Sequence, residues 1–352
     1  MNGKRIENIN NKKDHSMEKK RSYTNEKNLK LLKNKNENNN ENKKIINDII
    51  RRNTINRFKL ENQNNQKLNN KTFSNRSTIP NISRTNNNKI YDYKIMKELG
   101  KGSYATVKLA IHKNTRNKYA LKIYSKKSLL EPQKKNTVNN EIKILKQLSN
   151  VNIVKLYEVI DTPYYLYLVM EYIEGISLLD TIRKDYNHYF EEKRALKIFI
   201  QILKAMIYCQ NKNICHRDIK LENILIKKND IIKIIDFGFA VKTDKETYQK
   251  LFCGSPSYMA PEIVNKQKYI AQYSDIWSLG VLFFSMLYGR FPFKAKNQEE
   301  LFKKINETQI EFPEDIEVND KIKILLKKIF VIEPTQRPSL KEILNDILLL
   351  TT

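Results

Sequence analysis

HRDIKLEN, residues 216–223, is an unusually dense set of ionisable and polar residues for a soluble protein. It places His, Arg, Asp, Lys, Glu and Asn within one short segment, soon after the apolar run ALKIFIQILKAMIY at 195–208. Ionisable groups beside a core helix are costly to bury unless they are paired or used. The stretch therefore predicts a functional loop, provided that the rest of the chain supplies partners for its chemistry.

The elements around this loop fall into two groups of different class. On the amino-terminal side, apolar and polar residues alternate around Gly-rich and Asn-rich turns, which is typical of antiparallel strands. One segment there, TVNNEIKILKQL at 137–148, has helical spacing. From about Leu178 onward the helical period dominates. Strands with one helix, followed mostly by helices, predict an α+β fold of two lobes with a cleft between them.

Residues 1–90 differ in composition from the rest of the chain. They contain 25 Asn and three aromatic residues, Tyr23, Phe58 and Phe73. They also carry 22 Lys and Arg against 8 Asp and Glu, a net of +14 out of +26 for the whole chain. So polar a segment cannot bury enough apolar surface to offset the entropy of ordering. We therefore predict a disordered basic tail over 1–90 and a folded domain over 91–349.

Cysteine usage and the absence of targeting signals predict an intracellular protein, cytoplasmic or nuclear. Cys209, Cys215 and Cys253 have no metal-like spacing, and their odd number argues against a disulfide framework. The amino terminus has neither a signal-peptide core nor the glycine at position 2 that myristoylation requires. The longest apolar run, VLFFSMLYG at 281–289, is shorter than the roughly 18 residues of a membrane span and predicts a core helix instead.

A glycine-rich turn, GKGSYATV at 100–107, lies between two predicted strands. Gly100 and Gly102 would let backbone amides approach phosphate oxygens without a side chain in the way. Alone, such a hairpin is more often a plain turn. Lys122, on the following strand, adds a point charge for phosphates, and Glu141 on the next helix is placed to orient that lysine. Together these residues predict a phosphate site.

The loop itself is followed by a short strand and then by KIIDFGFA at 233–240. Asn223 and Asp236 carry the oxygen donors that Mg²⁺ prefers, with phosphates and water completing the octahedron. Asp218 is then a carboxylate free to accept a hydroxyl proton. Lys220 can neutralise the phosphoryl group that is being moved. This part of the sequence predicts phosphoryl transfer.

Taken in order, these motifs resemble those of the protein kinase family. The resemblance covers residues 91–349 and extends to CGSPSYMAPE at 253–262, SDIWSLG at 274–280 and Arg337. It implies an antiparallel β-sheet N-lobe over about 91–171 and a mostly helical C-lobe over about 172–349. It also implies an enzyme that uses ATP and Mg²⁺ to phosphorylate protein hydroxyls, and a structural ion pair between Glu262 and Arg337.

The resemblance assigns a role to each site residue. The catalytic set is Asp218 as the base, Lys220, and Lys122 paired with Glu141, while Asn223 and Asp236 hold the metal ions. The remaining residues line the ATP site: Leu99, Gly100, Lys101, Gly102, Ser103, Tyr104, Ala105, Thr106, Val107, Ala120, Met170, Glu171, Tyr172 and Leu225.

The resemblance also indicates a class within the family. Lys220 and the segment GSPSYMAPE are similar to those of serine/threonine kinases. The residues of the segments DFGFA, CGSPSYMAPE and GRFPF are most similar to those of the calcium/calmodulin-dependent and AMP-activated kinase group. We therefore expect Ser255 to reach Asp218 and Lys220 and to help place the acceptor hydroxyl of a protein substrate.

Substrate choice departs from the pattern of relatives that select basic peptides. Ser177 and Ser285 stand where those relatives carry glutamates. Glu222 is the one member of that acidic set that remains. We expect a weakened preference for arginine upstream of the acceptor.

Regulation departs from the family pattern as well. Leu251 lies two residues before Cys253, where relatives carry an activating threonine. Arg217 keeps the pocket that would receive a phosphate, but leucine cannot supply one. We predict that activation by this phosphorylation does not apply. The open alternatives are replacement acceptors or charge mimics in the same loop: Thr247, Tyr248, Asp244 and Glu246.

Two further hypotheses concern the tail and the whole protein. KKIINDIIRRNTINRFKL at 43–60 places Ile46, Ile49, Ile50 and Phe58 near one helical face beside basic residues, which is typical of a docking or calmodulin-binding helix. A solvated tail is the simpler interpretation, and no pattern there predicts specific nucleic-acid recognition. The competing function is a non-catalytic scaffold that binds ATP or a partner, against which the intact catalytic set argues.

Overall fold

The computed structural model describes residues 89–102, 105–244 and 247–351. The predictions for the tail, including the helix at 43–60, lie outside the described residues. The same holds for Ser103 and Tyr104 of the glycine-rich turn and for Glu246.

The first part of the described chain is a five-stranded antiparallel sheet with the strand order β1-β2-β3-β5-β4. Because successive side chains of a strand face opposite sides, the sheet has two distinct faces. Ala110, Leu121 and Val169 belong to a small apolar cluster, while Leu168 and Met170 join the main core. The strands are β1 (Tyr93–Lys101), β2 (Ala105–His112), β3 (Lys118–Ser125), β4 (Leu156–Asp161) and β5 (Tyr165–Glu171), and helix α1 (Pro132–Leu145) connects β3 to β4.

The rest of the described chain is mostly helical, so the predicted α+β fold is confirmed. Helix α5 (Ala271–Tyr288) is buried along almost all of its length, and most of its residues are accordingly apolar. The rings of Phe199 in α3 and Phe283 in α5 stack with their centroids 4.2 Å apart. The prediction of a core helix at 281–289 is confirmed. The helices are α2 (Leu178–Lys184), α3 (Glu192–Asn211), α4 (Pro261–Val264), α5 (Ala271–Tyr288), α6 (Gln298–Glu307), α7 (Asp320–Ile329) and α8 (Leu340–Leu348).

Short strands frame the loops of the helical lobe. Three antiparallel groups form: β6 with β8 and β9, β7 with β10, and β11 with β12. The stretch 216–223 therefore begins directly after β7 and ends directly before β8. These strands are β6 (Ile176–Ser177), β7 (Ile214–Cys215), β8 (Ile224–Ile226), β9 (Ile232–Ile234), β10 (Val241–Lys242), β11 (Tyr248–Gln249) and β12 (Tyr269–Ile270).

A buried ion pair joins α4 to the turn before α8. Arg337 donates from Nη1 and Nη2 to the two carboxylate oxygens of Glu262, at 2.8 and 2.7 Å. Its guanidinium also lies over the ring of Trp277, 5.0 Å from the centroid. The predicted contact between Glu262 and Arg337 is confirmed.

The described residues contain no helix that is long and apolar enough to cross a membrane. Cys209, Cys215 and Cys253 are free and buried. Burial raises the pKa of the Cys209 thiol to about 12, so this side chain acts as a small apolar group.

Candidate active site

The loop 216–223 is tied to the core helix α5 through its backbone. The N–H groups of His216 and Arg217 donate to the two carboxylate oxygens of Asp275, at 2.7 and 2.8 Å. Burial raises the pKa of the Asp275 carboxyl, and the positive charges and donors around it oppose that rise. Arg217 adopts a positive φ of 63°. Such a backbone conformation is unfavourable for a side-chain-bearing residue, so these two hydrogen bonds help to hold it.

Three polar side chains converge on Asp218, which is 5% exposed. Lys220 Nζ donates to Asp218 Oδ2 at 2.7 Å, and Asn223 Nδ2 donates to the same oxygen at 3.0 Å. Ser255 Oγ donates to Oδ1 at 3.1 Å. Ser255 also accepts from Lys220 Nζ at 2.9 Å. The structure thus brings Ser255, 37 residues away in sequence, onto the catalytic loop.

A second cluster joins three elements around Lys122 of β3. Its Nζ donates to Glu141 Oε1 of α1 at 2.6 Å and to Asp236 Oδ1 at 2.8 Å. Burial alone would lower the pKa of Lys122, but the two carboxylates outweigh it and hold that pKa well above its ordinary value. Burial would raise the pKa of Asp236, and Lys122 more than reverses this effect. Lys122 and Asp236 are therefore both charged at neutral pH.

Tyr124 is a site residue that sequence reasoning missed. Its hydroxyl donates to Glu141 Oε2 at 2.6 Å, so Glu141 is held from both sides by two residues of β3. The available signal was spacing: residues two apart in a strand point to the same face, which places Tyr124 beside Lys122.

Replacing Tyr124 with Phe is expected to lower kcat/KM for ATP about tenfold, because one hydrogen bond to the orienting carboxylate is lost while the ion pair remains. Steady-state kinetics with varied ATP would measure this change. Tyr119→Phe, which removes a hydroxyl from the opposite face of β3, is the matched control and is expected to change kcat/KM by less than about threefold. Equal effects of the two substitutions would contradict a role for Tyr124 in orienting Glu141.

The predicted ATP-binding residues lie on four elements of the sheet and on β8. Leu99, Gly100 and Lys101 end β1, and Ala105, Thr106 and Val107 begin β2, with Gly100 paired to Val107. Ala120 of β3 pairs with Met170 of β5, Tyr172 follows β5, and Leu225 lies in β8. Neither Gly100 nor Gly102 has a positive φ, so these glycines provide space rather than an unusual backbone conformation.

Glu171 is the last residue of β5, and its side chain lies on the opposite face of the sheet from Lys122. Lys233 of β9 donates from Nζ to Glu171 Oε2 at 2.7 Å. Both residues line a cavity of about 270 Å³ together with Asn150 and Tyr157. The Glu171 N–H donates to the Lys155 carbonyl at 2.8 Å. The Glu171 N–H is therefore already paired within the fold.

The oxygen donors of Asn223 and Asp236 fit a magnesium ion shared with phosphates. Asp236 supplies a carboxylate, and Asn223 turns its amide nitrogen toward Asp218, which leaves its amide oxygen as a donor. Oxygen donors of this kind suit Mg²⁺, which keeps most of its ligands as water or substrate phosphate. Within the described ranges no group of three or more His, Cys, Asp and Glu side chains could hold a metal.

The architecture and these clusters define a class of protein. A family profile described as the protein kinase domain matches residues 93–349, and the chain belongs to that family. Among curated proteins, the probable serine/threonine-protein kinase MARK-A of Dictyostelium discoideum is 38% identical over 257 residues, which cover 73% of this chain and 24% of the relative. A second probable serine/threonine-protein kinase of that organism is 37% identical over 250 residues, covering 71% and 30%. The chain thus spans less than a third of the length of either relative.

Proposed function

We propose that this chain is a serine/threonine protein kinase, which transfers the γ-phosphate of ATP to protein hydroxyls. The observation that carries the proposal is the joint assembly of the two clusters. Lys220 and Ser255 meet on Asp218, while Lys122 is paired with both Glu141 and Asp236. Phosphoryl transfer depends mainly on positioning and charge neutralisation, and these contacts supply both.

In the proposed reaction the acceptor hydroxyl oxygen attacks the γ-phosphorus of ATP. Its proton passes to the carboxylate of Asp218, and the bond between the γ-phosphorus and the bridging oxygen breaks, releasing ADP. Lys220 lies close enough to Asp218 to neutralise the charge on the moving group. Lys122 holds the α- and β-phosphates. Magnesium, held by Asn223 and Asp236, would screen the phosphate charges.

We assign residues 91–349 to the kinase domain, with the N-lobe ending near Glu171 and the C-lobe beginning near Tyr172. The match of the family profile to 93–349 supports these limits. The residues of the segments DFGFA, CGSPSYMAPE and GRFPF support membership of the calcium/calmodulin-dependent and AMP-activated kinase group. We keep an intracellular location and a partner for the amino-terminal tail, either calmodulin or a docking protein, as part of the proposal.

The contacts of two serines favour a weakened selection of basic substrates. Ser177 caps helix α2, accepting from the Asp180 N–H at 3.0 Å and donating to the Asp180 carboxylate at 2.8 Å. Ser285 is 3% exposed within α5. Neither side chain offers a charge to a peptide, so Glu222, which is exposed beside Asp218, is left as the selecting carboxylate.

The test of the proposed function is phosphate transfer from labelled ATP to a peptide library with Ser, Thr or Tyr acceptors. The full chain is assayed with Mg²⁺ beside Asp236→Asn as the blank. Mg²⁺-dependent transfer to Ser and Thr peptides, absent in the blank, is the expected result. Binding of Mg·ATP without any transfer would reject this proposal and favour the scaffold.

Phosphatase treatment is expected to leave most of the activity in place, because Leu251 offers no hydroxyl to phosphorylate. Mass spectrometry of the treated protein should find residues 247–255 unmodified. A parallel sample carried through the procedure with inhibited phosphatase is the control. Activity that disappears with the phosphate on Thr247 or Tyr248, and only in the treated sample, would show that one of these residues replaces the missing threonine.

A further inference from the structure

The segment that leads to Ser255 is held against the helical lobe by a short strand pair. Tyr248 pairs with Ile270, and Gln249 pairs with Tyr269, as β11 lies antiparallel to β12. Two short strands are weak by themselves, since each supplies few hydrogen bonds. A further contact is therefore needed to fix the segment beyond Gln249.

Tyr269 provides that contact through its hydroxyl. The side chain is buried, with 3% of the residue exposed. Its hydroxyl donates to the carbonyl of Leu251 at 2.8 Å and lies 3.8 Å from Cys253 Sγ. Burial raises the pKa of the phenol, and the guanidinium of Arg217 opposes only part of that rise. The phenol therefore remains a neutral hydrogen-bond donor under ordinary conditions.

Arg217 connects this hydroxyl to the catalytic loop. It lies beside Tyr269, and its Nε donates to the carbonyl of Phe239 at 2.7 Å. Its backbone N–H is bound to Asp275. One phenol thus adjoins both the guanidinium of Arg217 and the backbone of Leu251. From Leu251 the chain needs four more residues to reach Ser255, whose hydroxyl donates to Asp218.

The side chain at position 251 leaves room for this arrangement. Leu251 is 50% exposed, so its side chain does not fill the space around Arg217. The contact to Tyr269 uses the carbonyl of Leu251, which every residue type has. The segment is thus held through backbone and phenol, with no charge required on residue 251.

We propose that Tyr269 is the positioning residue that holds residues 251–255 over Asp218 in the unmodified chain. The hydrogen bond from its hydroxyl fixes this segment, as an ion pair between a charged group at position 251 and Arg217 would. Tyr269 acts through Leu251 and Ser255 and does not touch the reacting atoms. The proposal rests on the proposed kinase function and concerns how the peptide-binding side of that site is assembled.

The first experiment compares Tyr269→Phe with Tyr273→Phe, which removes the same group four residues later, in the first turn of α5. The full chain is treated with phosphatase, and KM for a Ser peptide, KM for ATP and kcat are measured. Loss of the hydrogen bond is expected to raise the peptide KM of Tyr269→Phe about tenfold, with the KM for ATP unchanged, because Lys122 and its partners lie elsewhere. Tyr273→Phe should resemble the wild type. An unchanged peptide KM in Tyr269→Phe would overturn the proposal.

The second experiment asks whether charge at position 251 replaces the phenol. In the Tyr269→Phe background, Leu251→Glu should recover most of the peptide KM by pairing with Arg217, whereas Leu251→Gln, its neutral isostere, should not. If Leu251→Glu and Leu251→Gln restored the peptide KM equally, packing rather than charge at position 251 would fix the segment. The role assigned to Tyr269 would then be refuted. Tyr269→Phe alone could melt below the assay temperature. The two double variants would still test the proposal, because only the addition of Leu251→Glu should restore a folded, active chain.

A readout independent of catalysis separates this proposal from the proposed function. Lys250 is exposed within the segment and is a tryptic site. Cleavage after Lys250 should be faster in Tyr269→Phe than in wild type and slow again when Leu251→Glu is added. A wild type that transfers no phosphate would refute the kinase function, yet the cleavage rates would still test the role of Tyr269. Equal cleavage rates in wild type and Tyr269→Phe would refute that role alone.

Discussion

Replacing Asp218 with Asn is expected to lower kcat for peptide phosphorylation by about 10² to 10⁴, because the amide cannot accept the proton of the acceptor hydroxyl. Asn has nearly the same shape as Asp, so Ser255 and Asn223 keep a partner at this position. The loss should therefore appear in kcat, while binding of Mg·ATP changes little. Steady-state kinetics and nucleotide titration of the same preparation measure the two effects.

Asp346→Asn, which removes a carboxylate at the surface of α8, is the matched control and should leave kcat unchanged. A small loss of kcat in Asp218→Asn would contradict the role of Asp218 as the general base. If Asp218→Asn retained more than about a tenth of the wild-type kcat, proton transfer to Asp218 could not supply the usual share of general-base catalysis. The placement of Asp218 beside Lys220 and Ser255 would then be structural.

Replacing Glu262 with Gln is expected to lower the free energy of unfolding by about 3–5 kcal/mol, because a buried guanidinium loses its counter-charge. Arg337 is 4% exposed and makes two hydrogen bonds to Glu262. Without the carboxylate, the Arg337 guanidinium contacts only the face of the Trp277 ring and backbone carbonyls. None of these groups carries a charge that neutralises it. Urea unfolding followed by circular dichroism would measure the change.

Glu307→Gln is the control for this substitution, since Glu307 and Lys303 form an exposed pair 3.9 Å apart whose loss should change stability little. A double replacement of Glu262 and Arg337 by Met should recover much of the loss, because no unpaired charge remains. A Glu262→Gln variant as stable as Glu307→Gln would show that water or another group already neutralises Arg337.

The ion pair also bears on the active site through chain connectivity. Glu262 lies in the first turn of α4, seven residues after Ser255, so the segment over Asp218 is anchored at both ends. Tyr269 holds its amino-terminal side, and Arg337 holds the helix that follows. Loss of either anchor is expected to act on the peptide acceptor rather than on ATP, since Lys122 is fixed by a separate set of contacts.

The sequence alone was sufficient for the fold class and for the residue types of the candidate site. Alternation in β1 to β3 and the helical period of α3 and α5 are local patterns, because side-chain direction follows directly from backbone repeat. The order of the motifs predicts that Lys122, Glu141, Asp218 and Asp236 lie in one cleft. The strand repeat also indicates that Tyr124, two residues after Lys122, lies on the same face of β3 as Lys122.

Tertiary structure alone decided the partners that come from distant parts of the chain. The contact of the Tyr269 phenol with the Leu251 carbonyl joins residues 18 apart through a two-residue strand pair, which is too short for periodicity to predict. The pairing of Lys233 with Glu171, which are 62 residues apart, has the same origin. In each case a polar atom takes the partner that burial brings within reach, because leaving it unpaired in the interior costs more than the bond itself contributes.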